Sequence, residues 1–158
     1  MDNVKTKEKT LLTVSWITAI GGGVLMLLSL ILTFISMEER SYSMIGYVQE
    51  LKKYSKEIRD GDALFAVITA IVVLIGIFSF FALLFSLLKK PVPTIVFTVL
   101  AGVMFYILCW DFTSRGVVSE RFFSWSTAYY VFIAGAVISF AAAVCMVIMK
   151  IRLKRQTK

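Results

Sequence analysis

Four stretches of this chain contain no Asp, Glu, Lys, Arg or His: residues 11–36, 63–88, 91–110 and 127–149. A helix crosses a hydrocarbon core of roughly 30 Å in about 20 residues, so each stretch is long enough to span a bilayer. The pattern predicts an all-α integral membrane protein, a four-transmembrane-helix bundle of two hairpins forming one membrane domain over residues 1–158.

The connections have their own patterns. In residues 41–62, Met44, Tyr47, Val48, Leu51, Ser55 and Ile58 recur at spacings of three and four, while Glu50, Lys52, Lys53, Lys56, Glu57 and Arg59 lie mostly off that stripe. This is an amphipathic helix over about 43–59, with Glu50–Lys53 and Lys53–Glu57 in register for pairing. Asp60–Gly61 is expected to end it and Asp62 to cap span 2. Between spans 2 and 3, Lys90 and Val92 each precede a proline and are pushed out of the helical region, which makes a tight turn of residues 89–93. Pro93 suits the first turn of span 3. The third connection, 111–126, is short and aromatic. Trp110, Phe112, Phe122, Phe123, Trp125, Tyr129 and Tyr130 fall at or near it, as in an interfacial aromatic belt or a partner-binding surface.

Composition agrees with a membrane location: 59% of the 158 residues are hydrophobic. The net charge of +7 would suggest nucleic acid in a soluble protein, but here it sorts by segment. Lys5, Lys7, Lys9, Lys89, Lys90, Lys150, Arg152, Lys154, Arg155 and Lys158 stand on the two tails and the second connection against only Asp2 and Glu8. The first and third connections mix Arg40, Lys52, Lys53, Lys56, Arg59, Arg115 and Arg121 with eight carboxylates. The positive-inside rule therefore places both termini in the cytoplasm, and the amphipathic helix in the first outer loop of the cytoplasmic membrane. The apolar run behind Lys5, Lys7 and Lys9 is too long for a signal peptide and has no Ala-x-Ala-like site near 33–37, so it is expected to remain as span 1. The basic tail, 150–158, reads first as an orientation signal, with anionic head groups as a second use. No nucleic acid partner is expected.

Candidate chemistry is sparse. The chain has no His, and its two Cys, Cys109 and Cys145, fall near opposite ends of their spans, beyond disulfide reach and too few for a thiolate cluster. No acidic or basic residue lies inside a span, where proton relays and ion-coupling sites place them. That pattern departs from small multidrug transporters with a membrane Glu, lipoprotein signal peptidases with paired Asp, and quinone-linked disulfide oxidases with paired Cys. No catalytic residue, metal or cofactor is expected. An interfacial enzyme would have to use Asp111, Arg115, Glu120 and Arg121, and a pore only hydroxyls such as Thr69, Ser79, Ser86, Thr94 and Thr98.

Two small-xxx-small rows, Ser15–Ala19–Gly23 in span 1 and Gly135–Ser139–Ala143 in span 4, are expected as helix-packing faces inside the monomer, with a homo-oligomer seam as the alternative. Gly21-Gly22-Gly23 reads as a close-packing site or a mild kink. The arrangement is similar in architecture to claudin-type and tetraspanin-type four-span proteins. The first outer loop has neither Trp nor Cys, so the claudin Trp-Gly-Leu-Trp and paired-Cys pattern is missing, and the third connection lacks the tetraspanin Cys-Cys-Gly. The expected function is a non-enzymatic membrane accessory or interaction protein: a subunit, an assembly factor or an immunity-type protein. It would contact a membrane or extracytoplasmic protein partner through Tyr47, Leu51, Tyr54, Trp110, Phe122, Phe123 and Trp125, with the lipid bilayer around it. The alternative is a small transporter or oligomeric pore.

Overall fold

The computed structural model describes residues 2–37, 40–56, 61–119 and 123–155. Four long helices form the bundle: α1 (Asp2–Leu28), α3 (Gly61–Leu87), α4 (Pro91–Ser114) and α5 (Thr127–Arg155). A short helix, α2 (Met44–Tyr54), lies between α1 and α3. All four long helices are long and apolar enough to cross a membrane, and the protein is a multi-pass membrane protein. α1 packs against α3 and α5, and α4 packs against the same two, so the helices close into a ring.

Small residues bring α1 and α5 together. Gly22 is buried so closely against α5 that a Cβ there would stand 2.6 Å from Ser139 N and 2.7 Å from Gly135 O. Gly135 is the reciprocal partner, 2.8 Å from Gly22 O by the same construction. Ala19, Ser139 and Ala143 are buried, while Ser15 is only half-buried. Gly23 turns to α3 instead, where its Cβ would meet Leu83 Cα at 3.1 Å, and Gly21 faces open space. Gly22 and Gly135 mark the closest approach of α1 to α5, between the buried Ala19, Ser139 and Ala143.

The α3–α4 hairpin turns where the prolines predict. Lys90 is non-helical at φ −103°, ψ 86°, and Pro91 and Pro93 fall in the first turn of α4. At the opposite end of the bundle the expectation needs correction. The uncharged run predicts a span to residue 36, but α1 stops at Leu28, and the chain turns into β1 (Thr33–Met37). β2 (Arg40–Ser43) pairs antiparallel with β1, and β3 (Ser124–Trp125) pairs antiparallel with its other edge, giving the order β2-β1-β3. A small sheet therefore joins the helical fold. The other spans also differ at their ends, with α4 running to Ser114 and α5 to Arg155.

α2 follows β2 without a break, because the Ser43 side chain accepts a hydrogen bond from Gly46 N at 3.0 Å and caps the helix. It ends at Tyr54 rather than near 59; Glu57, Ile58, Arg59 and Asp60 lie outside the described residues. Gly61 opens α3 rather than closing α2, and Asp62 lies within the first turn rather than before it. Glycine is required there, since a Cβ would collide with the backbone of Ser55.

Candidate functional site

The sheet and α2 form a cap over the loop end of the bundle, and one irregularity in β1 decides how it is fastened. Thr33 pairs with Ser43 and Ile35 with Tyr42, so Phe34 is an extra residue opposite a single step of β2. Such a bulge breaks the alternation of a strand and lets two successive side chains turn inward. Phe34 and Ile35 are both fully buried. The Phe34 carbonyl accepts from Ser126 N at 2.9 Å, which ties β1 to the start of α5.

The Phe34 ring is the hub of an aromatic cluster. It meets Phe105 and Phe112 of α4 edge-on at 5.8 and 5.6 Å, and Trp125 of β3 at 5.2 Å. Trp125 stacks on Tyr129 of α5 at 4.9 Å, and Phe105 stacks on Phe132 at 4.0 Å. From α2, Tyr47 lies 4.7 Å from Phe112, and Tyr42 of β2 bridges Tyr47 to Phe123. Ring pairs of this kind contribute about 0.5–1.5 kcal/mol each beyond the area they bury. Here they join β1, β2, α2 and β3 to both α4 and α5.

α2 docks by the predicted stripe. Met44 and Leu51 are buried, and Tyr47 and Val48 pack against the same core. Lys52 and Lys53 are exposed, and Lys53 Nζ donates to Glu50 Oε2 at 2.8 Å. That bond raises the Lys53 pKa.

A charged pair at the C-terminal end of α4 acts on Tyr47. Arg115 Nε donates to Asp111 Oδ1 at 2.8 Å, whereas Asp111 Oδ2 is buried without a hydrogen-bond partner in the protein. Burial raises the Tyr47 phenol above its ordinary value, the Asp111 carboxylate adds to the rise, and the Arg115 guanidinium opposes it. Glu120 and Arg121, the other members of the enzyme reading, lie outside the described residues. Among the described residues, no three His, Cys, Asp or Glu side chains gather as a metal site.

The expected partner-binding residues divide by orientation. Leu51 is buried, and Tyr47, Phe123 and Trp125 are half-buried with their rings in the cluster. Tyr54 and Trp110 are exposed, by 49% and 64%. Phe122 lies outside the described residues. Among the described residues of the aromatic band around the third connection, Phe112, Phe123, Trp125 and Tyr129 pack internally, and Trp110 and Tyr130 face outward like a belt. Sequence reasoning missed Phe34 and Tyr42, which hold the cap together.

Below the cap, Phe105 and Phe132 form the back wall of an apolar groove of about 230 Å³ between α4 and α5, with Gly102, Tyr106, Ala136 and Val137 along it. The hydroxyls of the pore reading are spread through the helix interfaces. Thr98 and Ser139 share a hydrogen bond of 3.3 Å, Ser86 donates to Ala82 O and Thr94 to Lys90 O, and Thr69 and Ser79 each bury an unpartnered oxygen.

Comparison of the chain with protein-family models, with curated proteins and with solved structures gives no match.

Proposed function

We propose that this is a non-enzymatic accessory or interaction protein of the cytoplasmic membrane, with both termini in the cytoplasm and the cap outside, where it contacts a protein partner. The observation that carries this reading is the cap. Two separate connections are built into one sheet, fastened to the bundle by a continuous ring cluster, and left with an exposed rim of Arg40, Ser41, Ile45 and Tyr54. A fixed surface of this kind lowers the ordering cost of association. Charge supports this orientation under the positive-inside rule, since Lys7, Lys9, Lys89, Lys90, Lys150, Arg152 and Arg155 belong to the end away from the cap.

Photo-crosslinking in intact cells tests the proposal, with the reactive group placed at Tyr54 and Ile45 on the rim and at Leu51 inside. A discrete adduct with one membrane or extracytoplasmic protein from the rim positions, and none from position 51, is expected. Recovery of the uncrosslinked monomer alone refutes the partner. Single cysteines at Lys52 and Arg152, in a background lacking Cys109 and Cys145, test the orientation. Position 52 should label with an impermeant reagent from outside, and position 152 only after the membrane is opened.

A further inference from the structure

At the end of α3 a lysine occupies a position that favours glycine. Lys90 N–H donates to Phe85 O at 2.9 Å and Lys89 N–H to Ser86 O at 3.0 Å, the bond pair that closes a helix through a left-handed residue. That residue is Lys89, at φ 55°. Side chains beyond glycine carry a steric penalty there. The turn is held from both neighbouring helices: Trp16 Nε1 of α1 donates to Ser86 O at 2.8 Å, and Lys150 Nζ of α5 donates to Lys89 O. Lys89 Nζ in turn stands 4.2 Å above the centre of the Trp16 ring.

This arrangement gathers the cations of Lys89, Lys90 and Lys150 around one turn. The two carboxylate pairs formed among the described residues, Lys53–Glu50 and Arg115–Asp111, are both at the cap end. Beside the lysines, Leu87, Leu88 and Val92 expose 50%, 54% and 61% of their surface, an apolar flank directly continuous with the charged turn. Charge above and hydrocarbon below is the chemistry of a phospholipid at the edge of a bilayer.

We propose that Lys89, held over the Trp16 ring, binds the phosphate of an anionic phospholipid head group together with Lys90 and Lys150, and that the acyl chains lie along Leu87, Leu88 and Val92. The left-handed turn by itself asks only for glycine, and the charge of Lys89 serves that head group.

That distinction supplies the test. Protein in nanodiscs of phosphatidylcholine, with and without phosphatidylglycerol, is followed by thermal unfolding and by the anionic lipid retained in native mass spectrometry. Lys89→Gly should fold at least as stably as wild type in phosphatidylcholine but bind phosphatidylglycerol about fivefold more weakly, the effect of one lysine near the surface. Lys150→Met should weaken binding by a similar factor and Lys150→Arg should preserve it, while Lys53→Met at the other end changes nothing. Phosphatidylglycerol binding unchanged in both Lys89→Gly and Lys150→Met overturns the proposal. So does full stabilisation of the phosphatidylcholine sample by inorganic phosphate, which assigns the cations to a free anion.

Discussion

Replacing Gly22 with alanine adds one methyl group and should destabilise the bundle, whereas the same change at Gly21 should not. At Gly22 the new Cβ would lie 2.6 Å from Ser139 N, 2.7 Å from Gly135 O and 2.9 Å from Ser139 Cα, where ordinary contact begins near 3.4 Å. All three atoms are backbone, so no rotamer change relieves the clash, and α1 must move from α5 by a large fraction of an ångström. A gap of 0.5–1 Å forfeits about a quarter to a half of each dispersion contact along the seam. Overpacking of this kind costs about 1–3 kcal/mol, against a gain of about 1 kcal/mol from replacing glycine inside a helix. With rigid backbone on the other side the cost falls at the upper end, leaving Gly22→Ala less stable by about 1–2 kcal/mol. Gly21 has nothing within 4 Å, so Gly21→Ala keeps the helix gain alone. Reversible unfolding in mixed micelles, followed by tryptophan fluorescence, should rank Gly21→Ala at or above wild type and Gly22→Ala below it. Gly135→Ala should behave like Gly22→Ala, and the double variant should lose less than the sum, because either methyl opens the same seam. Equal stability of Gly21→Ala and Gly22→Ala would refute the packing argument.

Other expectations concern the cap. Phe34→Ala removes the hub of the ring cluster and should cost about 3–5 kcal/mol, seen as faster hydrogen exchange at Ile35 and Trp125 with the α1–α5 seam still protected. Leu51→Asp should release α2 at a cost no smaller than the ~2–5 kcal/mol of a buried Leu→Ala change, while Lys52→Ala should leave its exchange unaltered. Asp111→Asn should lower the Tyr47 pKa and Arg115→Met should raise it, read by ultraviolet titration of the phenolate. Because the folded pKa lies above the ordinary 10.0, the neutral phenol's contribution to stability is complete below that pH and is lost as pH rises through the folded value.

The bundle was legible because the bilayer imposes one rule on every spanning segment, and runs without charge satisfy it visibly. The stripe of α2 was legible for a similar reason, since Met44, Leu51 and Ser55 carry the helical period into burial. The sheet was hidden by the same lack of charge that revealed the spans. Residues 29–36 continue the apolar run of α1, and a short apolar run does not separate strand from helix by periodicity. The usable signal was β-branching at Thr33 and Ile35, with Tyr42 on the partner strand. The bulge then erased the remaining clue, because burying Phe34 and Ile35 together breaks the alternation that marks a half-buried strand.

Composition could place the aromatic residues at one end of the molecule but could not assign their faces, and that assignment narrows the site. An interfacial belt and an internal cluster need the same residues near the same depth; what separates them is whether a strand from the first connection arrives to give the rings a common centre. Phe34 is that centre, and its arrival turns Phe112, Trp125 and Tyr129 inward. A partner at the cap therefore cannot use Leu51 or the buried faces of Tyr47 and Trp125 without dismantling the surface it binds. The available chemistry is the rim around Tyr54 and Ile45 and, where the cap meets the bilayer, Trp110 and Tyr130. The rim is mixed and partly charged, with Arg40, Lys52 and Lys53 close in sequence to its apolar residues, so contact there should weaken with salt. Contact through Trp110 and Tyr130 would bring a membrane helix alongside α4 and α5 and should be insensitive to salt. With further reactive groups at Trp110 and Tyr130, the crosslinked yield at low and high ionic strength separates an aqueous partner from one within the bilayer.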